Sequence, residues 1–207
     1  MASAPSWRVH DLLRIDALTD MQDAPSWVAC ALGRAPWVVV RRARRDTGLV
    51  PVGVRGSARS ERHAASIGEA AILQVLSPEM LVAAPIDPAR CSVPALALLA
   101  WLKPVLEDFA LTWGPTGSVG FELASGQPTV KDSSDLDLVI RCPERLPAGH
   151  AKRLRDALVD CARRAGRLAD AQIEVPAGAV SLQELAAGGR VLLRTAQGPR
   201  LTSDPWS

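Results

Sequence analysis

Tyrosine is absent from the 207 residues, phenylalanine occurs twice, and lysine is confined to Lys103, Lys131 and Lys152. A nucleic-acid surface needs a basic stripe interleaved with aromatic side chains. None appears, and the formal net charge is only +2, so neither nucleic acid nor a membrane surface is expected as a partner. The cysteines (Cys30, Cys91, Cys142 and Cys161) are scattered without CxxC or Cys/His spacing. That excludes a zinc site written into the sequence and fits reduced thiols. His10, His63 and His150 show no ligand spacing either and read as structural. No apolar run reaches membrane-spanning length, and "MASAPSWRVHDLL" lacks a signal-peptide hydrophobic region. A soluble, cytoplasmic protein is expected.

What is present is arginine. With so little lysine, almost all the positive charge is guanidinium. This reflects either a codon-composition bias or phosphate recognition, because the guanidinium fork matches phosphate oxygens bidentately. The length allows one large domain or two small ones with a real core.

The pattern along the chain predicts an α+β or α/β protein with a small N-terminal α+β domain over residues 1–88 and a second domain over 89–207. "APWVVVRRAR" and "LVPVGVRG" are Val-rich, strand-like runs joined by a turn at "RDTG". "RSERHAASIGEAAILQVL" reads as a helix, and the Pro-rich "AAPIDPARCSVP" as the boundary. "ALALLAWLKPVLEDFA" is an apolar helix with a possible kink at Pro104. Then follow a strand "LTWGP", a turn and helix "TGSVGFELAS", and a strand "SDLDLVIR". The next helix, around Leu154, Leu158, Cys161 and Ala162, is amphipathic, and the strand "ADAQIEVP" succeeds it. Strand, helix, strand, helix, strand argues for a layered α/β unit with a short mixed sheet.

One stretch of this unit carries chemistry. Side chains at i and i+2 of a strand share a face, so Asp135 and Asp137 present their carboxylates together, roughly 7 Å apart along the chain. Two such anions repel unless a cation intervenes. A hard ion such as Mg²⁺ takes these oxygen ligands and shares them with substrate phosphates. Gly117 and Ser118 open a helix whose free N–H groups are a natural seat for a phosphate, although such a turn alone is more often a plain N-cap. Further on, Asp170, Gln172 and Glu174 form the outer face of the third strand.

A strand ending in Gly-Ser, a helix, a strand with alternating acids, a helix and a later strand with an outward acid together resemble the nucleotidyltransferase superfamily. The resemblance implies that Asp135 and Asp137 are metal ligands, that Asp170 or Glu174 is the third acid, and that Gly117 and Ser118 hold the donor's triphosphate. A closer likeness covers nearly the whole chain. "WGPTGSVGFELASGQPTVKDSSDLDLVIR" resembles the holo-acyl-carrier-protein synthases of malonate decarboxylase, the phosphoribosyl-dephospho-CoA transferases. "HDLLRI", "PVGVRGSARSERHAA", "DAQIEVPAGAVSLQELA" and "VLLRTAQGPRLTSDPW" extend it, although an aromatic is usual near Arg14.

This resemblance implies a Mg²⁺-dependent transferase whose donor is triphosphoribosyl-dephospho-CoA. Its acceptor would be a serine of the malonate decarboxylase acyl-carrier subunit, with pyrophosphate leaving. Arg55, Arg59 and Arg62 are then candidates for the donor's phosphates or an acidic carrier surface, against the plain alternative of a solvated face. Arg194 and Arg200 are weaker candidates. Trp113, beside the Gly-Ser turn, belongs to the core or lines the donor pocket. Two other readings remain: a nucleotidyltransferase acting on a different protein or small hydroxylated acceptor, and a non-catalytic nucleotide-binding assembly module.

Overall fold

The computed structural model describes residues 7–16, 21, 23–44, 46–58 and 60–207. Two sheets organise it. The first contains β1 (Leu12–Ile15), β2 (Trp37–Val40), β3 (Leu49–Arg55), β4 (Arg62–Gly68) and β5 (Ile72–Leu76). They lie in the order β4-β3-β2-β1-β5, and every neighbouring pair is antiparallel. The β-branched runs of β2 and β3 form the centre because such side chains pack well on a pleated surface. Val50, Val52, Val54, Val38 and Val40 are buried with Val28 and Leu32 of helix α1 (Ser26–Arg34).

The segment predicted as one helix, residues 59–76, contains instead, over its described residues, β4, a 3-10 turn at Glu69–Ala71, and β5. Its alanines and glutamates suit a helix locally, but β4 pairs with β3 over seven positions, from Leu49↔Gly68 to Arg55↔Arg62. Only Ile67 of β4 is buried, as suits an edge strand, and tertiary pairing overrides local propensity here.

The second sheet contains β6 (Thr112–Pro115), β7 (Leu136–Arg141), β8 (Ala169–Val175), β9 (Gly178–Ser181), β10 (Val191–Thr195) and β11 (Gly198–Thr202). The order is β11-β10-β9-β8-β7-β6. Only β7 and β8 run parallel, which requires a crossover, and helix α5 (His150–Ala165) supplies it. Glycines in left-handed conformation flank α5, and Arg163 and Arg164 lie in its last turn, where cations complement the helix dipole. Helix α3 (Pro94–Glu107) starts with proline at its first position, where the missing N–H is not needed, and carries Pro104 within it.

Leu96, Leu99, Leu102 and Leu106 of α3, Leu154 and Leu158 of α5, and Leu136, Leu138 and Ile140 of β7 form the larger core. Each fully buried leucine or isoleucine contributes about 1.5–3 kcal/mol. The α+β architecture is therefore a small first unit and a larger second one. Helix α2 (Pro78–Leu81) and Gly114 of β6 lie where they meet; a Cβ on Gly114 would overlap the carbonyl of Pro78 and sit 2.6 Å from Glu79 N.

Charged side chains tie the two units. Arg141 Nε donates to Glu79 Oε1 at 2.7 Å and its Nη2 to Val9 O at 3.1 Å, with Asp11 Oδ1 at 3.6 Å. Asp11 is 2% exposed, and burial raises its pKa above the ordinary aspartate value despite the hydrogen bond from Arg8 N and the charge of Arg141. Glu79 moves the other way: burial would raise it, but the hydrogen bond from Arg141 leads the groups that bring it below the usual glutamate value.

Candidate active site

The chain leaves β6 at Pro115, passes Thr116 and enters helix α4 (Gly117–Ser125). Thr116 N donates to Asp137 O at 2.9 Å, which fastens the start of α4 to β7. Gly117 has φ +59°, a conformation in which a side chain is strained. Any Cβ there would overlap Oδ2 of Asp137 and lie 2.9 Å from its Cγ. Glycine is thus required twice, by the backbone and by the carboxylate packed against it. No side chain caps α4, so its first N–H groups have no side-chain acceptor, and the helix begins beside the Asp137 carboxylate.

Asp137 is half-buried between the fully buried Leu136 and Leu138. Asp135, one residue before β7, is exposed, and its Oδ1 accepts from Leu168 N at 3.2 Å. The parallel register sets Asp170 directly opposite Asp137. Burial first, then the charge of Asp170 and after it that of Asp135, push Asp137 above the ordinary aspartate value. The guanidiniums of Arg55 and Arg62 oppose that shift. These arginines come from the other unit, where they face each other across β3 and β4, not along one helix. Arg59 lies outside the described residues.

Glu174, the alternative third acid, is four residues further along β8 and opposite Arg141. Its carboxylate is ion-paired to Arg42 and bonded to His10 Nε2 at 3.1 Å. Burial would raise its pKa, but His10 and Arg42 outweigh burial and hold it below the ordinary glutamate value. The structure therefore gathers Asp135, Asp137 and Asp170 and engages Glu174 at the seam between the units. A cleft of about 770 Å³ opens over the three aspartates, with Arg155, Arg167 and Gln183 among its walls.

Among the described residues, no three His, Cys, Asp or Glu side chains converge into a group that could hold a metal ion by themselves. Mg²⁺ does not demand one, because it keeps waters and is bound through one or two carboxylates plus substrate phosphates. Neighbouring aspartates, with Asp137 raised above its ordinary value first by burial and then by the charge of Asp170, fit such an open site because a bound cation would offset both effects.

Glu122 escaped the sequence reading, and it explains the long loop from residue 126 to 135. It is 8% exposed on α4. It accepts from Thr129 N at 2.8 Å and Val130 N at 2.7 Å, and from Arg90 Nε at 2.6 Å. Arg90 Nη2 also donates to Val130 O at 2.6 Å. The pair pins the loop that delivers Asp135 and Asp137. Its only signal in the sequence was an acid on an otherwise apolar short helix. Trp113 is core, buried with Ile140 and Leu106.

Two family models match the chain: the phosphoribosyl-dephospho-CoA transferase MdcG N-terminal domain over residues 8–78 and the C-terminal domain of the same enzyme over residues 81–205. The chain belongs to the phosphoribosyl-dephospho-CoA transferase family. It is 44% identical to a phosphoribosyl-dephospho-CoA transferase of Pseudomonas putida strain GB-1, over 97% of this chain and 95% of that protein. The Pseudomonas aeruginosa relative of the same name is 43% identical over 95% of this chain and 92% of its own length. The one from Azotobacter vinelandii is 40% identical over 95% and 93%. No solved structure matches the chain at a significant level. Membership makes the protein a transferase, and the assembled aspartates, rather than an assembly module lacking them, accord with that. No helix among the described residues is long and apolar enough to cross a membrane.

Proposed function

We propose that this protein transfers the 2'-(5''-phosphoribosyl)-3'-dephospho-CoA group from its triphosphoribosyl precursor to a serine of the malonate decarboxylase acyl-carrier subunit, in the cytoplasm. The observation that carries the reading is the register of Asp137 beside Asp170, with Asp135 adjacent and the uncapped start of α4 against the same carboxylate.

In the reaction the serine oxygen attacks the α-phosphorus of the donor's triphosphate. The bond from that phosphorus to the bridging oxygen breaks, and pyrophosphate leaves with its electron pair. Such a transfer is catalysed by in-line positioning and by neutralising charge on the phosphates. Asp135 and Asp137 would hold Mg²⁺, which when bound would offset the charge of the donor phosphates and the leaving group. Asp170 completes the acidic set and receives the serine proton. The backbone N–H groups of Gly117 and Ser118 hold the departing pyrophosphate. Arg55 and Arg62 supply positive charge from the opposite unit.

The test is intact-mass analysis of the apo acyl-carrier subunit incubated with the protein, Mg²⁺ and triphosphoribosyl-dephospho-CoA. A mass gain equal to the donor less pyrophosphate, lost with EDTA, is the expected result. No gain with a competent acceptor and a folded enzyme would overturn the donor and acceptor assignment, and ordinary nucleoside triphosphates would then be screened.

A further inference from the structure

The face of β8 that carries Asp170 continues to Gln172, two residues or roughly 7 Å along the strand. Gln172 lies on the wall of a second cavity, of about 540 Å³, between the two units. Leu192 and Arg194 of β10 line it with Gln172, and His10, Arg41 and Arg42 of the first unit line it as well. Val39, Val40 and Pro199 add apolar walls. The volume is in the range of small-molecule sites.

Arg194 is the informative residue. Its Nη1 is buried, with no hydrogen-bond acceptor among the described residues. Arg42 is held by Glu174, but Arg41 is exposed. A buried guanidinium N–H without an acceptor is disfavoured unless a ligand supplies one. The acceptor it fits best is a phosphate oxygen, which a guanidinium binds through charge-assisted, forked hydrogen bonds. The apolar walls suit the face of a base or ribose.

We propose that this cavity is the subsite for the non-reacting nucleoside diphosphate part of the donor. The inference rests on the proposed transfer for the identity of the donor. A dephospho-CoA group carries an adenosine whose 5'-diphosphate is esterified to pantetheine. Placed at Arg194 and Arg41, that diphosphate leaves the ribosyl triphosphate to reach the aspartates along the same sheet face. Binding energy gathered at the cavity then positions the reacting phosphorus one subsite away.

The experiment is calorimetric titration of ADP and of dephospho-CoA, in EDTA, into the wild-type protein, Arg194→Gln and Arg41→Ala. Phosphopantetheine serves as the control ligand that lacks the nucleoside. Both nucleotides are expected to bind the wild type without metal, and each variant to weaken them at least about tenfold. Phosphopantetheine is expected not to bind detectably. Arg41 is exposed, so Arg41→Ala keeps the test valid if Arg194→Gln fails to fold. In the transfer assay the variants should raise the donor KM and lower kcat/KM, because the binding energy they remove also positions the reacting phosphorus. Absence of nucleotide binding, unchanged affinity in a folded variant, or phosphopantetheine binding as tightly as dephospho-CoA would overturn the proposal. The titrations need neither acceptor nor metal, so failure of the transfer assignment alone would leave arginine-dependent nucleotide binding intact.

Discussion

Gly117 and Asp137 are packed so closely that a Cβ on the glycine would overlap the carboxylate Oδ2 and lie 2.9 Å from its Cγ. The start of α4 and the central acid of β7 are therefore one structural unit, and whatever binds the uncapped helix end meets Asp137 at once.

Gly117→Ala should consequently fail for two reasons. The methyl group evicts the carboxylate, and φ +59° strains a residue with a side chain, at a cost of about 1–3 kcal/mol. A lower melting temperature together with loss of transfer is expected. A variant as stable and as active as wild type would show that the glycine is incidental.

Asp137→Asn separates function from stability. The wild-type side chain is desolvated and repelled by Asp170 and Asp135, so removing its charge relieves the fold. With metal chelated, the variant should melt at or above the wild-type temperature and yet lose about 10²–10³-fold in turnover. Mg²⁺ added to the wild type should raise its melting temperature by mass action, and raise the variant's less. Thermal scans with and without Mg²⁺, beside the mass assay, decide it.

The patterns that were legible in the sequence are those set within one element. Alternation around Leu136 and Leu138 gave β7 and its acids, and the spacing of Leu154 and Leu158 gave α5. Pairing between elements was not legible. Residues 62–68 have helix-compatible composition, and only the partner strand β3 makes them a strand. Arg90 and Glu122 are 32 positions apart, so neither marks the other. Alternation put Asp170 and Glu174 on one face, but the register that sets Asp170 beside Asp137 and Glu174 beside Arg141 belongs to the β7–β8 pairing and its crossover.

Arg141 offers a test of the seam. It donates to Glu79, which Arg8 also bonds at 3.2 Å, lies 3.6 Å from the buried Asp11, and holds Val9 O. Arg141→Leu strips compensation from two largely buried carboxylates, which typically costs about 3–5 kcal/mol. Urea unfolding should show a lower midpoint. An unchanged midpoint would mean that the seam does not depend on Arg141.

The choice between Asp170 and Glu174 yields the last prediction. Asp170 is exposed and opposite Asp137, so Asp170→Asn should remove about 10²–10³-fold of the turnover and leave the melting temperature near wild type. Glu174 is locked to Arg42 and His10, so Glu174→Gln should cost about 1.5–3 kcal/mol of stability while the folded protein keeps most of its turnover. The sign of the pH dependence follows from the direction of the shift. Glu174 sits below its ordinary value of 4.5 in the fold. A carboxylate lowered in this way contributes stability that is fully present above that value and is lost as pH falls through the folded value. The gap in melting temperature between wild type and Glu174→Gln should therefore be full at neutral pH, narrow as pH falls below the ordinary value of 4.5, and close once pH has fallen through the lower folded value. A gap that persists unchanged in acid would mean the loss comes from packing, not from the charge that His10 and Arg42 hold in place.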